Sequence, residues 1–291
     1  MKQHDQVFRF LVESTPIRGQ LISLDASWQK CRERSDASPE AKTLLGQALS
    51  AVALLASTLK IDGNLTLQIR GQGPVHLLVA QATSKRSVRG LVRQSGTLDD
   101  SQQTLQQVFG SDKIIITIDS GNGHRHQGVV GLTGNSLTDA LQAYFEQSEQ
   151  LPTRLWLACS ETSASGLLLQ KLPGQEEDLD SWNRLTQLAS TITDQELLQL
   201  DAAEILHRLF HQESIRLFES EPLRFDCSCS RERSLTMIKS LGRDEAMEIL
   251  QEQGKINISC EFCNAQYHFD LIDIEQLFAS DDHLTPSPTQ H

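Results

Sequence analysis

Near its C-terminal end the chain reads "FDCSCSRERS" over residues 225–234, and some thirty residues later "SCEFCNAQYHFD" over residues 259–270. The pattern is C-x-C, thirty residues, then C-x-x-C, formed by Cys227, Cys229, Cys260 and Cys263. Two pairs of sulfur donors on separate turns are what a tetrahedral thiolate site needs, and Zn²⁺ is its usual occupant. An iron–sulfur cluster is the rival occupant. The second pair has the spacing of a zinc knuckle; the first is one residue tighter than common. The stretch holding them is short and poor in apolar residues, so bound metal would supply much of its folding free energy. Zinc bound by small peptides contributes on the order of 10–16 kcal/mol. Loss of metal would then unfold the module.

The other two cysteines, Cys31 and Cys159, stand alone, and Cys159 lies in the apolar run "RLWLACS". Both read as small core residues. Clustering of the other four points to metal or redox chemistry and away from a disulfide framework. At 291 residues the chain is long enough to bury a core without cross-links. The net charge of −12 argues against nucleic-acid or anionic-lipid partners. "MKQHDQVFRFLVES" lacks a signal-peptide pattern. The most apolar run, "LLGQALSAVALLASTL", is broken by polar residues and is too short to span a bilayer. A cytoplasmic protein without membrane contact is the expectation.

Residues 1–175 read as an α+β core. "SPEAKTLLGQALSAVALLASTLK" opens with Ser38 as N-cap and Pro39 at the first helical position, and its apolar residues cover most faces, predicting a buried helix. "NLTLQIRG" alternates like a half-buried strand. "VHLLVAQA", "SVRGLVR", "KIIITIDS", "HQGVVGL", "TRLWLACS" and "SGLLLQKLP" continue as strands, several joined by Gly-rich turns such as "GQGP" and "GNGH". "SLTDALQAYFEQS" is a helix capped by Ser136 with Asp139 three residues on. Short turns between consecutive strands favour antiparallel sheets in a sandwich-like arrangement over a doubly wound one.

Residues 176–226 form an acidic helical linker, with 12 Asp and Glu against 4 Arg. A capping box at Thr193 and Glu196 precedes the apolar stripe Leu197, Leu198, Leu200, Ile205, Leu206, Leu209 and Phe210. One reading is a surface helix packed on the first domain. The sharper one is a conditionally stable element, because its charge repels itself. Residues 227–291 form a small C-terminal module: helices in "SLTMIKSLG" and "DEAMEILQEQG" ending at Gly242 and Gly254, two strands around the second cysteine pair, a last helix in "DIEQLFAS", and the polar tail "DDHLTPSPTQH", which is expected to be disordered.

Four protein ligands close a zinc site, so catalysis at the metal is not expected. No Ser/His/Asp grouping, GxGxxG or Walker pattern is present, and no enzyme activity is expected. His124 and His126 alternate along a strand and read as surface residues. Arg231 and Arg233 stand next to the first cysteine pair, either offsetting thiolate charge or simply solvated. Several functions stay open. A structural zinc module binding nucleic acid should be basic, yet residues 227–263 hold 5 Lys and Arg against 6 Asp and Glu. A thiol–disulfide oxidoreductase would carry one C-x-x-C at a helix N-terminus. A redox switch would use thiolates already deprotonated by zinc as targets for peroxide.

"CSCSRER" followed by "CEFCNAQYHFD" resembles the signature of the heat shock protein 33 family, the redox-regulated holdase chaperones of bacteria. "HDQVFRFLVESTPIRGQL", "HQGVVGL", "SEQLPTRLWLA", "LLLQKLPG" and "RLFHQESIRLFE" extend the resemblance over nearly the whole chain. Gln72 in "GQGP" departs from the acidic residue expected there. The resemblance implies one Zn²⁺ held by Cys227, Cys229, Cys260 and Cys263 in a reduced, inactive protein. It implies disulfides Cys227–Cys229 and Cys260–Cys263 on oxidation, loss of zinc, and unfolding of module and linker. It further implies a homodimer that binds unfolded clients without ATP and passes them to ATP-dependent foldases. Leu206, Leu209 and Phe210 are the candidate client-binding stripe, since client binding needs apolar surface that is covered at rest.

Overall fold

The computed structural model describes residues 5–58, 62–98, 104–121, 123–146, 151–173 and 180–282. Most of the tail expected to be disordered, residues 283–291, lies outside them, as does the start of the acidic linker. The chain divides after Asp226 into two compact units.

In chain order the first unit begins with β1 (Gln6–Val12), β2 (Ile17–Leu24), α1 (Ala26–Arg32) and α2 (Pro39–Thr58). Then come β3 (Asn64–Arg70), β4 (Val75–Thr83), β5 (Ser87–Gln94), α3 (Leu105–Phe109), β6 (Lys113–Asp119) and β7 (Arg125–Gly131). It continues with α4 (Leu137–Tyr144), β8 (Thr153–Cys159), β9 (Ala164–Lys171), α5 (Ser181–Ala189), α6 (Asp194–Gln199) and α7 (Ala202–Phe210), and closes with the short strands β10 (Ile215–Leu217), β11 (Glu221–Pro222) and β12 (Arg224–Phe225). This is an α+β fold of two sheets. One runs β10-β1-β2-β9-β8, with β11 also on β1; the other runs β12-β5-β4-β3-β6-β7. Pairing is antiparallel except between β12 and β5.

The helix predicted from Ser38 onward is α2, and the Ala41 amide donates to Ser38 Oγ at 3.4 Å. It is apolar all round because it is covered all round. It packs on β2, β8 and β9 of one sheet and on β3, β4 and β5 of the other. One glycine in each sheet admits it closely. A Cβ on Gly90 would lie 2.8 Å from Leu45 Cδ1, and one on Gly166 the same distance from Leu54 Cδ1. The turn "GQGP", including Gln72, joins β3 to β4 and rests on the end of α3, where the Gly73 amide donates to Phe109 O at 2.9 Å. The expected caps of α4 form, with Ser136 and Asp139 bonding reciprocally.

Strands of the first sheet are apolar on both faces. Val7, Ile22, Leu24, Leu155 and Leu168 face α2, while Phe10, Ile17, Leu21, Leu167 and Leu169 join a second cluster on the opposite side. This is why β9 reads "GLLLQ" without alternation. The second cluster is completed by the acidic segment, through Leu185 and Ala189 of α5, Leu197 of α6, and Ala202, Ile205, Leu206, Leu209 and Phe210 of α7. Leu206, Leu209 and Phe210 are 4 %, 3 % and 1 % exposed. Burying each contributes about 1.5–3 kcal/mol. The Phe210 ring lies 6.2 Å from that of Phe10.

In two respects the segment differs from its sequence reading. The capping box at Thr193 and Glu196 opens only α6, which stops where Leu200 turns extended; a second box, Asp201 with Glu204, starts α7. Residues 215–225 are not helical but add edge strands to both sheets, where Pro222 is tolerated because an edge needs no amide donor on its open side. The cover is also incomplete at one edge, where a half-open pocket of about 240 Å³ lies among Phe8, Leu21, Leu197, Leu200, Ile205 and Leu217.

Phe210→Ala is expected to cost about 3–5 kcal/mol of the docking of α5–α7. Denaturant unfolding of the full chain should then show an early helical transition. Arg216→Ala, which removes an exposed pair with Glu13, should move it little.

Candidate metal centre

The second unit comprises α8 (Arg231–Leu241), α9 (Arg243–Gln253), β13 (Ile256–Ser259), β14 (Gln266–Phe269) and α10 (Leu271–Asp282). Both short helices and both strands were legible from their stops and turns. α9 ends at Gly254, which takes the left-handed conformation expected of a C-cap glycine. The core is small: Ile238, Ala246, Leu250, Ile256, Phe269 and Ile274 are its buried members.

The strands pair antiparallel from Ile256 opposite Phe269 to Ser259 opposite Gln266, leaving Cys260 and Cys263 on the tip. The Cys260 amide donates to Ala265 O at 2.9 Å and the Asn264 amide to Cys260 O at 2.8 Å. That tight turn forces Asn264 to φ +56°, a conformation asparagine tolerates better than most residues. The other pair precedes α8, whose N-cap Ser230 accepts from the Arg233 amide at 3.2 Å. The Sγ atoms of Cys227 and Cys260 are 3.5 Å apart and those of Cys229 and Cys263 are 3.2 Å apart. All four lie within 4.8 Å of one another and are half-buried. These are non-bonded separations, far longer than a disulfide.

The Tyr267 hydroxyl donates to Cys229 Sγ at 3.2 Å. Burial opposes ionisation of Cys229, but hydrogen bonds from Tyr267 and the neighbouring thiols outweigh it and pull this thiol down to about 7. Burial pushes Cys263 up to about 12; a backbone hydrogen bond at Ala265 opposes this, and donation to the other sulfurs adds to it. Tyr267 is held protonated, its own value raised to about 12 first by the bond to Cys229. Four thiolates this close are therefore not stable by themselves and call for a cation. The donor set fits a thiophilic ion. Four sulfurs at a zinc–sulfur distance of roughly 2.3 Å would stand about 3.8 Å apart, close to the separations found here. Among the described residues this is the one group of His, Cys, Asp and Glu side chains converging in this way.

Arg231 does not serve as counter-ion to the sulfurs in the way its sequence position allowed. Its guanidinium bonds His268 O at 2.8 Å and Asp273 Oδ2 at 2.6 Å and lies 4.4 Å over the Phe269 ring. It ties α8 to the hairpin and to α10, because a planar fork satisfies a carbonyl, a carboxylate and a ring together. Cys31 is buried in the first unit, and burial pushes Cys159 up to about 12, with the Arg32 charge opposing. Neither joins the cluster. His126 lies on β7, at the edge of its sheet, and is exposed. Tyr267 and Asn264 were not singled out from sequence. The signal for Tyr267 was its alternation with Phe269, which puts both rings on the core side of β14 and one hydroxyl at the sulfurs.

A two-sheet α+β body joined to a separate four-thiol module is the class of protein that fold and site define. The chain belongs to the Hsp33 protein family, whose model matches residues 5–270. It is 46% identical to the 33 kDa chaperonin of Nitrosococcus oceani over 291 residues, covering all of both chains. It is 42% identical to that of Methylobacillus flagellatus over 295 residues, again covering all of both. Its fold is that of the crystal structure of a 33 kDa chaperonin, a heat shock protein 33 homolog, from Thermotoga maritima. There the TM-score is 0.83 at 22% identity, covering 96% of this chain and 100% of the other. No helix among the described residues is long and apolar enough to cross a membrane.

Asn264→Val should destabilise the second unit by about 1–2 kcal/mol through its positive φ, while Asn264→Gly should not. Thermal unfolding followed at the hairpin by NMR would measure both.

Proposed function

We propose that the chain is a redox-regulated, ATP-independent holdase chaperone, switched by Cys227, Cys229, Cys260 and Cys263. The convergence of these four thiols in a module with a small apolar core carries the reading; its chaperone class comes from the 33 kDa chaperonins. In the reduced state the four sulfurs hold one Zn²⁺. The ion keeps all four deprotonated and cross-links the hairpin tip to the turn before α8. The same deprotonation leaves them nucleophilic toward peroxide.

Oxidation proceeds within each pair. One sulfur attacks a peroxide oxygen, forming S–O as O–O breaks and hydroxide leaves. Its neighbour then displaces a second hydroxide, forming S–S as S–O breaks. Two electrons pass from the sulfurs to the peroxide, and two protons from solvent complete two waters. The products are Cys227–Cys229 and Cys260–Cys263. Crossed disulfides, Cys227–Cys260 or Cys229–Cys263, would staple the hairpin to α8 and preserve the module. Pairing within each turn removes the metal-mediated cross-link between them, along with the donor set for the metal, and leaves chiefly the Arg231 contacts, so it couples oxidation to unfolding.

Asp226 connects the module directly to β12 and to the acidic segment. Loss of order at Cys227 removes an anchor from a segment that is self-repelling, short in its helices and open at one pocket along its edge. Its release would uncover Phe10, Leu21 and Leu167 along with the stripe Leu206, Leu209 and Phe210, giving apolar surface for unfolded clients. The same surface suits a homodimer in the oxidised state, with clients passed on to ATP-dependent foldases. The protein would act stoichiometrically, in the cytoplasm, and not as an enzyme.

The test follows zinc with a chelating dye and client aggregation by light scattering, with and without peroxide at raised temperature. About one zinc per chain should leave as aggregation is suppressed, and dithiol plus zinc should reverse both. Zinc that stays, or leaves without any gain in holdase activity, would refute the reading. Zinc uptake by the reduced protein should also release protons and weaken steadily as pH falls, because protons compete at Cys263 already above pH 7 and at Cys229 as well below about 7. Chelator competition across pH would measure it.

A further inference from the structure

The polar face of α7 carries two histidines that the thiol switch does not use. His207 and His211 are four residues apart, one helical turn, and so project from the same side. Both are exposed, and their ring centroids are 6.2 Å apart. His211 is the C-cap of the helix but keeps right-handed helical angles, φ −60° and ψ −16°, so the spacing of a regular turn holds through it. On the opposite side lies the buried row Ile205, Leu206, Leu209 and Phe210. One short helix thus presents an apolar stripe to the sheet and an imidazole pair to solvent.

Two imidazoles one turn apart on a helix are a chelating arrangement for Zn²⁺, Ni²⁺ or Cu²⁺, ions that favour imidazole nitrogen. Two nitrogens on a tetrahedral zinc, each at roughly 2.0 Å, stand about 3.3 Å apart. Exposed rings with centroids 6.2 Å apart reach that separation by turning about their own side-chain bonds. Charge also favours a cation here. Arg208, the positive side chain in the same turn, is drawn away to Glu196 and to Thr191 O, the latter at 3.5 Å. The surrounding segment holds 12 Asp and Glu against 4 Arg, and the partial negative charge at a helix C-terminus adds to the attraction. We propose that His207 and His211 bind one divalent transition-metal ion, with water at its remaining positions, and that the bound ion holds the last turn of α7 closed over its stripe. Folded α7 sets the two rings at chelating distance and the unfolded chain does not, so binding shifts the equilibrium toward the docked helix. The consequence for the chaperone rests on the proposed function: metal on α7 opposes the uncovering of Leu206, Leu209 and Phe210, and delays the gain of holdase activity.

The test uses the reduced, full-length protein, loaded with zinc at its thiols and then titrated with further Zn²⁺. Amide exchange at residues 202–210 is read by mass spectrometry, without reference to chaperone activity. Exchange there should slow with occupancy, by about elevenfold at free zinc ten times the dissociation constant, while α2 does not change. His207→Gln and His211→Gln should each remove the slowing. Without added metal both variants should exchange like the unaltered protein, because both side chains are exposed. His124→Gln combined with His126→Gln, which leaves α7 untouched, should keep the slowing. No slowing in the unaltered protein, or slowing that survives in both α7 variants, overturns the metal site. A peroxide time course of client aggregation then tests the consequence. Added Zn²⁺ should delay suppression in the unaltered protein and not in His207→Gln; slowed exchange with no such delay overturns the regulatory part. Thiol zinc that leaves without any gain in holdase activity overturns the proposed function instead, and leaves the exchange result to decide the metal site.

Discussion

Four sulfur atoms within 4.8 Å of one another are the constraint on which the second unit depends. Six buried apolar side chains are a thin core for three helices and a hairpin, and a domain that small is marginal without a staple. The sulfurs sit where a staple has most effect, joining the turn before α8 to the tip of the hairpin. Arg231 adds a second tie, from α8 to β14 and α10, and Tyr267 a third. The first and the third run through sulfur and are open to oxidation; the second is not.

The first unit is built on the opposite principle. Its central helix is packed between two sheets in a mainly aliphatic core, where the two thiols, Cys31 and Cys159, serve as small packing residues. The exception is its outermost layer. Helices α5 to α7 cover the far face of one sheet with a row of leucines and Phe210, yet the segment is strongly acidic, its helices are short, and a half-open pocket remains at its edge. In the proposed holdase these properties belong together. A layer held firmly enough to hide apolar surface, but by little more than that, can be released when its C-terminal anchor is lost.

Much of this was legible in sequence because the signals were local. Ser38 and Pro39, the capping residues of α4 and α6, the glycines ending α8 and α9, and the alternation in β3 each determine a short stretch of backbone by themselves. The four cysteines were legible because their spacing is a chemical requirement. What was missed needed distant partners. The strands of residues 215–225 exist because β1 and β5 offer them an edge. The stop between α6 and α7 is the exception: its capping box, Asp201 with Glu204, is as local as the first and was passed over inside the apolar stripe. Arg231 was read by its sequence neighbours, the cysteines, while its geometry is governed by Asp273 and Phe269, about forty residues away. Tyr267 belongs to the same class: its ring was recognisable as core, but its hydroxyl has meaning only beside Cys229.

Coupling between thiol oxidation and release of α5–α7 is the central claim, and hydrogen exchange measures it most directly. Amide exchange would be followed by mass spectrometry on the full chain, reduced with zinc and then peroxide-oxidised. The expected result is that residues 180–210 and 227–270 lose protection together on oxidation, while α2 and strands β2, β3, β4 and β9 keep theirs. Loss of protection confined to residues 227–270, with α5–α7 still protected under conditions where zinc has left, would contradict the coupling.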